Sequence, residues 1–251
     1  MVEPFSLDVW GDVRWYPGTC DCVKRQEEET ISRQQEQERL SFLQKLKDRS
    51  GMSQKLLGST FETWELQPGT EIALEKTNQI AEKFKAGELN NIPGLLLFGI
   101  QGNGKTHLAA ATANQVLAAG HSVAFQNVPD LLGKIKDTYS DPEKQDTENR
   151  IINRLISADL LILDDLGAEK WTEWVEATIY QVIDRRYRTL KPIFITTNCK
   201  PEDLPGKIGA RAYDRLLEMC ILVHNKGDSY RRIIAQRRIK QIKEGELFER
   251  K

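Results

Sequence analysis

The chain has 251 residues, enough for one large or two modest domains around a sizeable core. Hydrophobic residues make up 39% and charged residues 29%, the balance of an ordinary globular protein, and a net charge of -1 says nothing of partners because a basic patch can hide inside a neutral total. Cys20, Cys22, Cys199 and Cys220 form no disulfide framework, and no run of about 18 apolar residues exists to span a membrane. The opening MVEPFSLDVW has no apolar signal core, so a reducing, cytoplasmic setting is expected.

Residues 1–19 carry no assignable pattern. Residues 22–48 are rich in Glu, Gln, Arg and Lys and predict a solvated helix with i,i+4 charge pairs. Leu40, Phe42, Leu43 and Leu46 give it a short apolar face, suited either to a partner or to a plain spacer. Gly51 and Gly58 mark a joint. The stretch 70–87 predicts a helix with Ile72, Leu74, Ile80, Ala81 and Phe84 inward, closed by Gly87.

From residue 92 onward, strands and helices alternate. Buried parallel strands are predicted in IPGLLLFG, DLLILDD and KPIFITTN, with further strands in HSVAFQN and CILVHN. Helices are predicted between them, with Leu131, Leu132 and Ile135 inward in one and Val175, Ile179, Val182 and Ile183 inward in another. A polar loop covers 140–149, and a basic helix, SYRRIIAQRRIKQIK, closes the chain. The alternation means an α/β domain with a central parallel sheet flanked by helices. Residues 58–251 are expected to form it, and residues 1–57 a smaller, mainly helical segment.

Between the strand LLLF and an Ala-rich helix lies Gly99-Ile100-Gln101-Gly102-Asn103-Gly104-Lys105-Thr106-His107. It fits G-x-x-x-x-G-K-[ST], the loop whose backbone N–H groups and following helix N-terminus cradle phosphate. Lys105 can neutralise terminal phosphates, and the Thr106 hydroxyl can ligate Mg²⁺. A dinucleotide loop would not need Lys-Thr directly after it, and it would want an acid at the end of HSVAFQN, which is absent. Asp164 ends a second apolar strand and can hold Mg²⁺ through water. Asp165 follows and can orient or deprotonate an attacking water. Asn198 ends a third strand, within reach of a terminal phosphate or that water.

These three elements, in this order, resemble an AAA+ ATPase. Together GNGKTHLAAA, LLILDDLGAEKWTEW, RRYRTLKPIFITTN, GARAYDRL and GDSYRRI resemble the bacterial replicative helicase loaders of the DnaC/DnaI type, and the IstB transposition ATPases are similar in the same blocks. The resemblance covers about residues 58–245. It implies Walker A at Gly99 to Thr106, with Gln101, Asn103 and His107 also against the nucleotide. It implies Walker B at Asp164 and Asp165, and sensor 1 at Asn198. It implies an arginine finger at Arg215 with Arg211 as companion, serving self-association, and a sensor 2 arginine at Arg231. The plainer reading of Arg211 and Arg215 is a salt bridge to Asp214 or Glu218 on the same helix.

The implied cofactors are ATP and Mg²⁺. The implied partners are a replicative DNA helicase, engaged by the N-terminal segment, and single-stranded DNA. Two departures bear on turnover. Asp165 stands where the family usually has Glu, with Glu169 a possible substitute. Little chain follows CILVHN, so only the final helix remains to cover the nucleotide. Weak, DNA- or partner-dependent hydrolysis is therefore expected. Cys20 and Cys22 are half a zinc site, and no zinc is expected there. Arg185, Arg186, Arg188 and Lys191, with the final basic helix, offer phosphate contacts; Tyr187 and Tyr230 either stack bases or edge the core. The alternative within the resemblance is an IstB-like transposition helper acting on duplex DNA. A small-molecule P-loop kinase would want an arginine-rich lid, and a non-hydrolysing nucleotide-binding scaffold is kept open by Asp165.

Overall fold

The computed structural model describes residues 5–9, 12–16, 21–89, 92–140, 147–170 and 172–243. They divide into two compact units between Lys45 and Leu46. The first holds an antiparallel hairpin of β1 (Phe5–Val9) and β2 (Asp12–Tyr16), in the stretch that had no assignable pattern, and most of the helix α1 (Asp21–Arg49). Leu40 and Phe42 of α1 are exposed, and an Arg39–Glu36 ion pair of 3.6 Å lies three residues apart rather than four. Cys20 lies outside the described residues.

The second unit follows the alternation of the sequence. After α2 (Gln54–Leu57) and α3 (Glu71–Lys85) come β3 (Gly94–Phe98), α4 (Lys105–Ala118), β4 (Val123–Asn127), α5 (Val128–Ser140) and α6 (Glu148–Ser157). Then follow β5 (Leu160–Asp164), α7 (Glu173–Arg188), β6 (Ile193–Thr197), a 3₁₀ turn at Pro201–Asp203, α8 (Pro205–Ile208), α9 (Ala210–Met219), β7 (Cys220–His224) and α10 (Tyr230–Lys243). The five strands form one parallel sheet in the order β4-β5-β6-β3-β7.

Side chains alternate across the strands, so each strand feeds two cores. Leu95 and Leu97 of β3 face α3 and α4, where Phe84, Leu108 and Leu117 are buried. Leu96 faces the opposite layer of α5, α6, α7 and α9, with Ile135, Leu155, Ile179 and Leu216. In α3 the inward face is Ala73, Thr77, Ile80, Ala81 and Phe84. Ile72, expected inward, is 62% exposed, because the helix turns Ala73 toward the densely packed α4 instead.

Two local features were not legible in the glycines at 51 and 58. Residues 50–57 are not a bare joint: Ser53 caps α2, its hydroxyl accepting from the Leu56 N–H at 3.4 Å. The Ser50 carbonyl also accepts from the Phe125 N–H at 2.7 Å, covering the outer edge of β4.

Arg186 corrects the expectation of a DNA-facing cluster. It is fully buried, and its guanidinium donates to the carbonyls of Leu155 (2.8 Å), Ala158 (2.9 Å), Asp159 (3.2 Å) and Pro192 (2.5 Å). It therefore closes the C-terminus of α6 and ties it to the entry of β6. Arg188 pairs with Asp184 at 2.9 Å, and the Lys191 ammonium donates to the Ser157 carbonyl. No helix among the described residues is long and apolar enough to cross a membrane.

Candidate functional site at the carboxyl ends of the strands

In a parallel sheet all strands release their chains at one edge, and ligands bind there. Gly99 follows β3, Asp164 ends β5, Asn198 follows β6 and Asn225 follows β7, so residues far apart in sequence converge. The loop 99–104 is built for close backbone approach. A Cβ at Gly99 would stand 2.3 Å from the Asn225 carbonyl oxygen. Gly104 has φ +92, and a Cβ there would stand 2.5 Å from the Trp64 ring. Asn103 and Asn225 lock the loop by exchanging bonds: the Asn103 amide donates to the Asn225 carbonyl at 2.6 Å, and the Asn225 amide to the Asn103 carbonyl at 2.8 Å.

Lys105, at the start of α4, is buried and folded onto this loop. Its ammonium donates to the carbonyls of Gly99 (3.0 Å) and Ile100 (2.8 Å), and to the side-chain oxygens of Asn103 (3.1 Å) and Asn198 (2.8 Å). Burial pushes its pKa down to about 8, against the pull of Asp165 and Asp164. Asn198 passes the contact on, its amide donating to Asp165 Oδ1 at 2.9 Å. Asp165 adopts φ +61, a left-handed conformation that turns it out of the strand direction, and its N–H donates to Thr196 Oγ1 at 3.0 Å.

Asp164 is buried, and burial raises its pKa. The hydroxyls of Thr196 (2.7 Å) and Thr106 (2.9 Å) donate to its Oδ1 and oppose the rise. Thr106 Oγ1 and Asp164 Oδ1 thus stand together as hard oxygen atoms of the kind Mg²⁺ takes, alongside phosphate. Among the described residues no cluster of three or more His, Cys, Asp or Glu could hold a metal by itself.

A cavity of about 530 Å³ opens beside the loop. Gln101, Gly102, Asn103, Gly104, Lys105, Thr106, His107, Asp165, Asn198 and Arg231 line it; Gly99 and Asp164 do not. Its far wall did not stand out in the sequence: Ser53, Leu56, Thr63, Trp64 and Gln67. His107 is bound to that wall, Nε2 lying 2.8 Å from the Thr60 carbonyl and its ring meeting Trp64 edge-on at 5.3 Å. The Trp64 indole N–H is buried without a partner, a free donor in the wall of the site. Glu169 is not in the cavity lining; its Oε1 accepts from the Gly167 N–H at 3.3 Å.

Arg211 and Arg215 are not among the lining residues either. Arg215 is engaged within the subunit, pairing with Asp184 at 2.7 Å and lying 4.7 Å from the Tyr180 ring and 5.6 Å from the Tyr187 ring. Its partner is a residue of α7, not Asp214 or Glu218 of its own helix. Arg211 is exposed.

Comparison with known proteins agrees with this geometry. Residues 76–238 match the model of the family of IstB-like ATP binding proteins. The replicative helicase loader DnaC of Escherichia coli (strain K12) is 32% identical over 191 residues, which is 75% of this chain and 76% of that protein. A crystal structure of the DnaC helicase loader superposes with a TM-score of 0.61 at 26% identity, over 69% of this chain and all of that one. AMPPCP-bound DnaA from Aquifex aeolicus superposes with a TM-score of 0.58 at 25% identity, over 76% of this chain and 57% of that one. A five-stranded parallel sheet of this kind, with the phosphate loop after β3 and the paired aspartates at the end of β5, is the AAA+ fold, and the chain belongs to the family of IstB-like ATP binding proteins.

Proposed function

We propose that the protein binds and hydrolyses ATP in the cavity beside the Gly99–Thr106 loop, and uses that cycle to load a replicative helicase onto single-stranded DNA. The observation that carries the ATPase reading is one chain of contacts across three strand ends: Lys105 to Asn198 at 2.8 Å, and Asn198 to Asp165 at 2.9 Å. A cation for phosphate, an amide for the nucleophile and a carboxylate for its proton are already in mutual reach. Thr106 and Asp164 are the residues that would hold Mg²⁺, which would supply charge neutralisation to the phosphates. Lys105 would turn from its loop carbonyls to the phosphate oxygens; Asn198 would orient the attacking water and the Asp165 carboxylate would take its proton as ADP leaves. Arg231 faces the same cavity as the sensor 2 arginine.

The self-association step falls more readily to Arg211 than to Arg215. The Arg215 guanidinium is held by Asp184 within the subunit, its Nη1 left buried without a partner, whereas Arg211 is exposed. The helicase-loading reading rests on the likeness to DnaC, a replicative helicase loader by name.

A surface on α5 and α7 supports the single-strand reading. Tyr139, 58% exposed, meets Trp174 edge-on at 6.4 Å, and the Lys136 ammonium lies 5.1 Å from the Trp174 ring centre. An exposed ring backed by a half-buried one, with a cation beside them, suits an unstacked base and its phosphate. Trp174→Ala is expected to weaken single-stranded DNA binding about tenfold or more, measured by fluorescence anisotropy of a labelled oligonucleotide. An unchanged affinity would remove this surface from the proposal.

The test of the function is the rate of phosphate release from ATP with no DNA, with single-stranded DNA and with duplex DNA. Stimulation by single strands supports the loader. Stimulation by duplex alone selects the transposition helper instead, and no hydrolysis under any condition leaves a nucleotide-binding scaffold.

The low pKa of Lys105 adds a signature of binding. A triphosphate favours the charged form, so binding raises a pKa that stands at about 8 in the free protein. At pH 8 the complex must take up a fraction of a proton, and affinity must fall as pH rises above 8. Calorimetry in two buffers of different ionisation heat measures that uptake; equal apparent heats would contradict it.

A further inference from the structure

The basic helix α10 buries no residue of its own. At its first residue it rests on the phosphate loop, the Tyr230 N–H donating to the Gly102 carbonyl at 2.9 Å. Further along, it is held by one carboxylate. Glu65 accepts from the Tyr230 hydroxyl at 2.5 Å and from the Arg237 guanidinium at 2.7 Å. Tyr230 and Arg237 are seven residues apart, two helical turns, so both bonds fall on one face of α10. These two donors hold the Glu65 carboxyl below its ordinary pKa, Tyr230 the more strongly.

The position of Glu65 in the chain gives the bonds a purpose. Trp64, its neighbour, covers Gly104 and borders the cavity. Arg231, next to Tyr230, also lines the cavity, as do Glu65 and Tyr230 themselves. The carboxylate therefore joins the wall at 63–67 to the helix that carries Arg231.

We infer that Glu65 is a positioning residue for nucleotide: by binding Tyr230 and Arg237 it clamps α10 over the cavity, holds Arg231 toward the bound nucleotide, and slows nucleotide release. The inference rests on the ATP-binding reading above and deepens it. The clamp is exposed, so its worth is that of a small charge-assisted network rather than a buried pair. An effect on release of about fivefold is the scale expected for such a network.

The experiment is stopped-flow release of methylanthraniloyl-ATP from the full chain with Mg²⁺, chased by excess ATP. Glu65→Ala is expected to speed release about fivefold with little change in the association rate. Arg237→Ala and Tyr230→Phe, each removing one of the two bonds, are expected to give smaller increases in the same direction. The Glu65→Ala/Arg237→Ala double variant is expected to go no further than Glu65→Ala, which already removes both bonds. Release rates equal to wild type in Glu65→Ala and Arg237→Ala overturn the clamp. So does acceleration in Glu65→Ala alone, which would mark a local effect of residue 65 on the cavity wall. A wild-type chain that binds no analogue overturns the ATP reading, and the clamp with it.

Discussion

Lys105→Ala is expected to lower ATP hydrolysis by about 10²- to 10³-fold, the usual scale when one preorganised donor is removed from developing phosphoryl charge. In this protein the loss has a second part. Lys105 donates to Asn198, and Asn198 donates to Asp165, so the variant also frees the amide that sets the carboxylate. The fold should survive. A lysine pKa lowered on folding means that its charged form is less favourable folded than unfolded. Below pH 8 that penalty is fully present, and it is relieved as pH rises from about 8 toward the ordinary lysine value. Removing the ammonium relieves this penalty but also leaves its four acceptors to the water of the cavity, so a small change in melting temperature is expected at pH 7. Phosphate release and thermal melting, measured on the same sample, separate lost chemistry from lost structure. Wild-type turnover in Lys105→Ala would sink the assignment of this cavity as the active site.

Arg186→Leu is expected to destabilise the unit that carries the parallel sheet by about 3 kcal/mol or more, with no direct effect on the cavity lining. The side chain is fully buried, and the carbonyls of residues 155, 158, 159 and 192 are bonded to it. Leucine fills part of the space and leaves those acceptors without donors, each a desolvation penalty. Arg186→Lys should recover only part of the loss, because one ammonium offers three donors and no planar fork. Urea unfolding midpoints of the three proteins test this. A variant as stable as wild type would show that water replaces the guanidinium.

The contrast between these two residues shows what a sequence makes legible. The phosphate loop, Asp164, Asp165 and Asn198 stood out because each sits where an apolar strand ends, and a parallel sheet brings such ends together. Their convergence follows from topology and needs no knowledge of side-chain packing. Arg186 lay in a run of basic residues, and a run of charge does not announce which member turns inward. Only the carbonyls left by α6 decide that.

Asn225 had the same signal as Asn198, a polar residue after an apolar strand, and could have been found by the same rule. Trp64 and Glu65 could not. FETWEL has neither helical nor strand periodicity, and its place against the phosphate loop is fixed by contacts made more than forty residues away, such as Thr60 to His107. Arg215 was legible as a helix-face arginine, but its partner was not, because Asp184 lies on a different helix. Ile72 failed for a simpler reason: one face of α3 could satisfy the apolar spacing in two registers, and the smaller Ala73 allows the closer approach to α4.

The bond from Phe125 to Ser50 has a practical consequence for anyone dissecting this chain. A fragment begun at residue 58 would keep the whole Gly99–Thr106 loop and still lose two things. The outer strand of the sheet would present its unpaired backbone to other molecules, inviting strand-to-strand aggregation. The cavity would also lose Ser53 and Leu56 from one wall. Insolubility or weak nucleotide affinity in such a fragment would reflect the cut, not the enzyme.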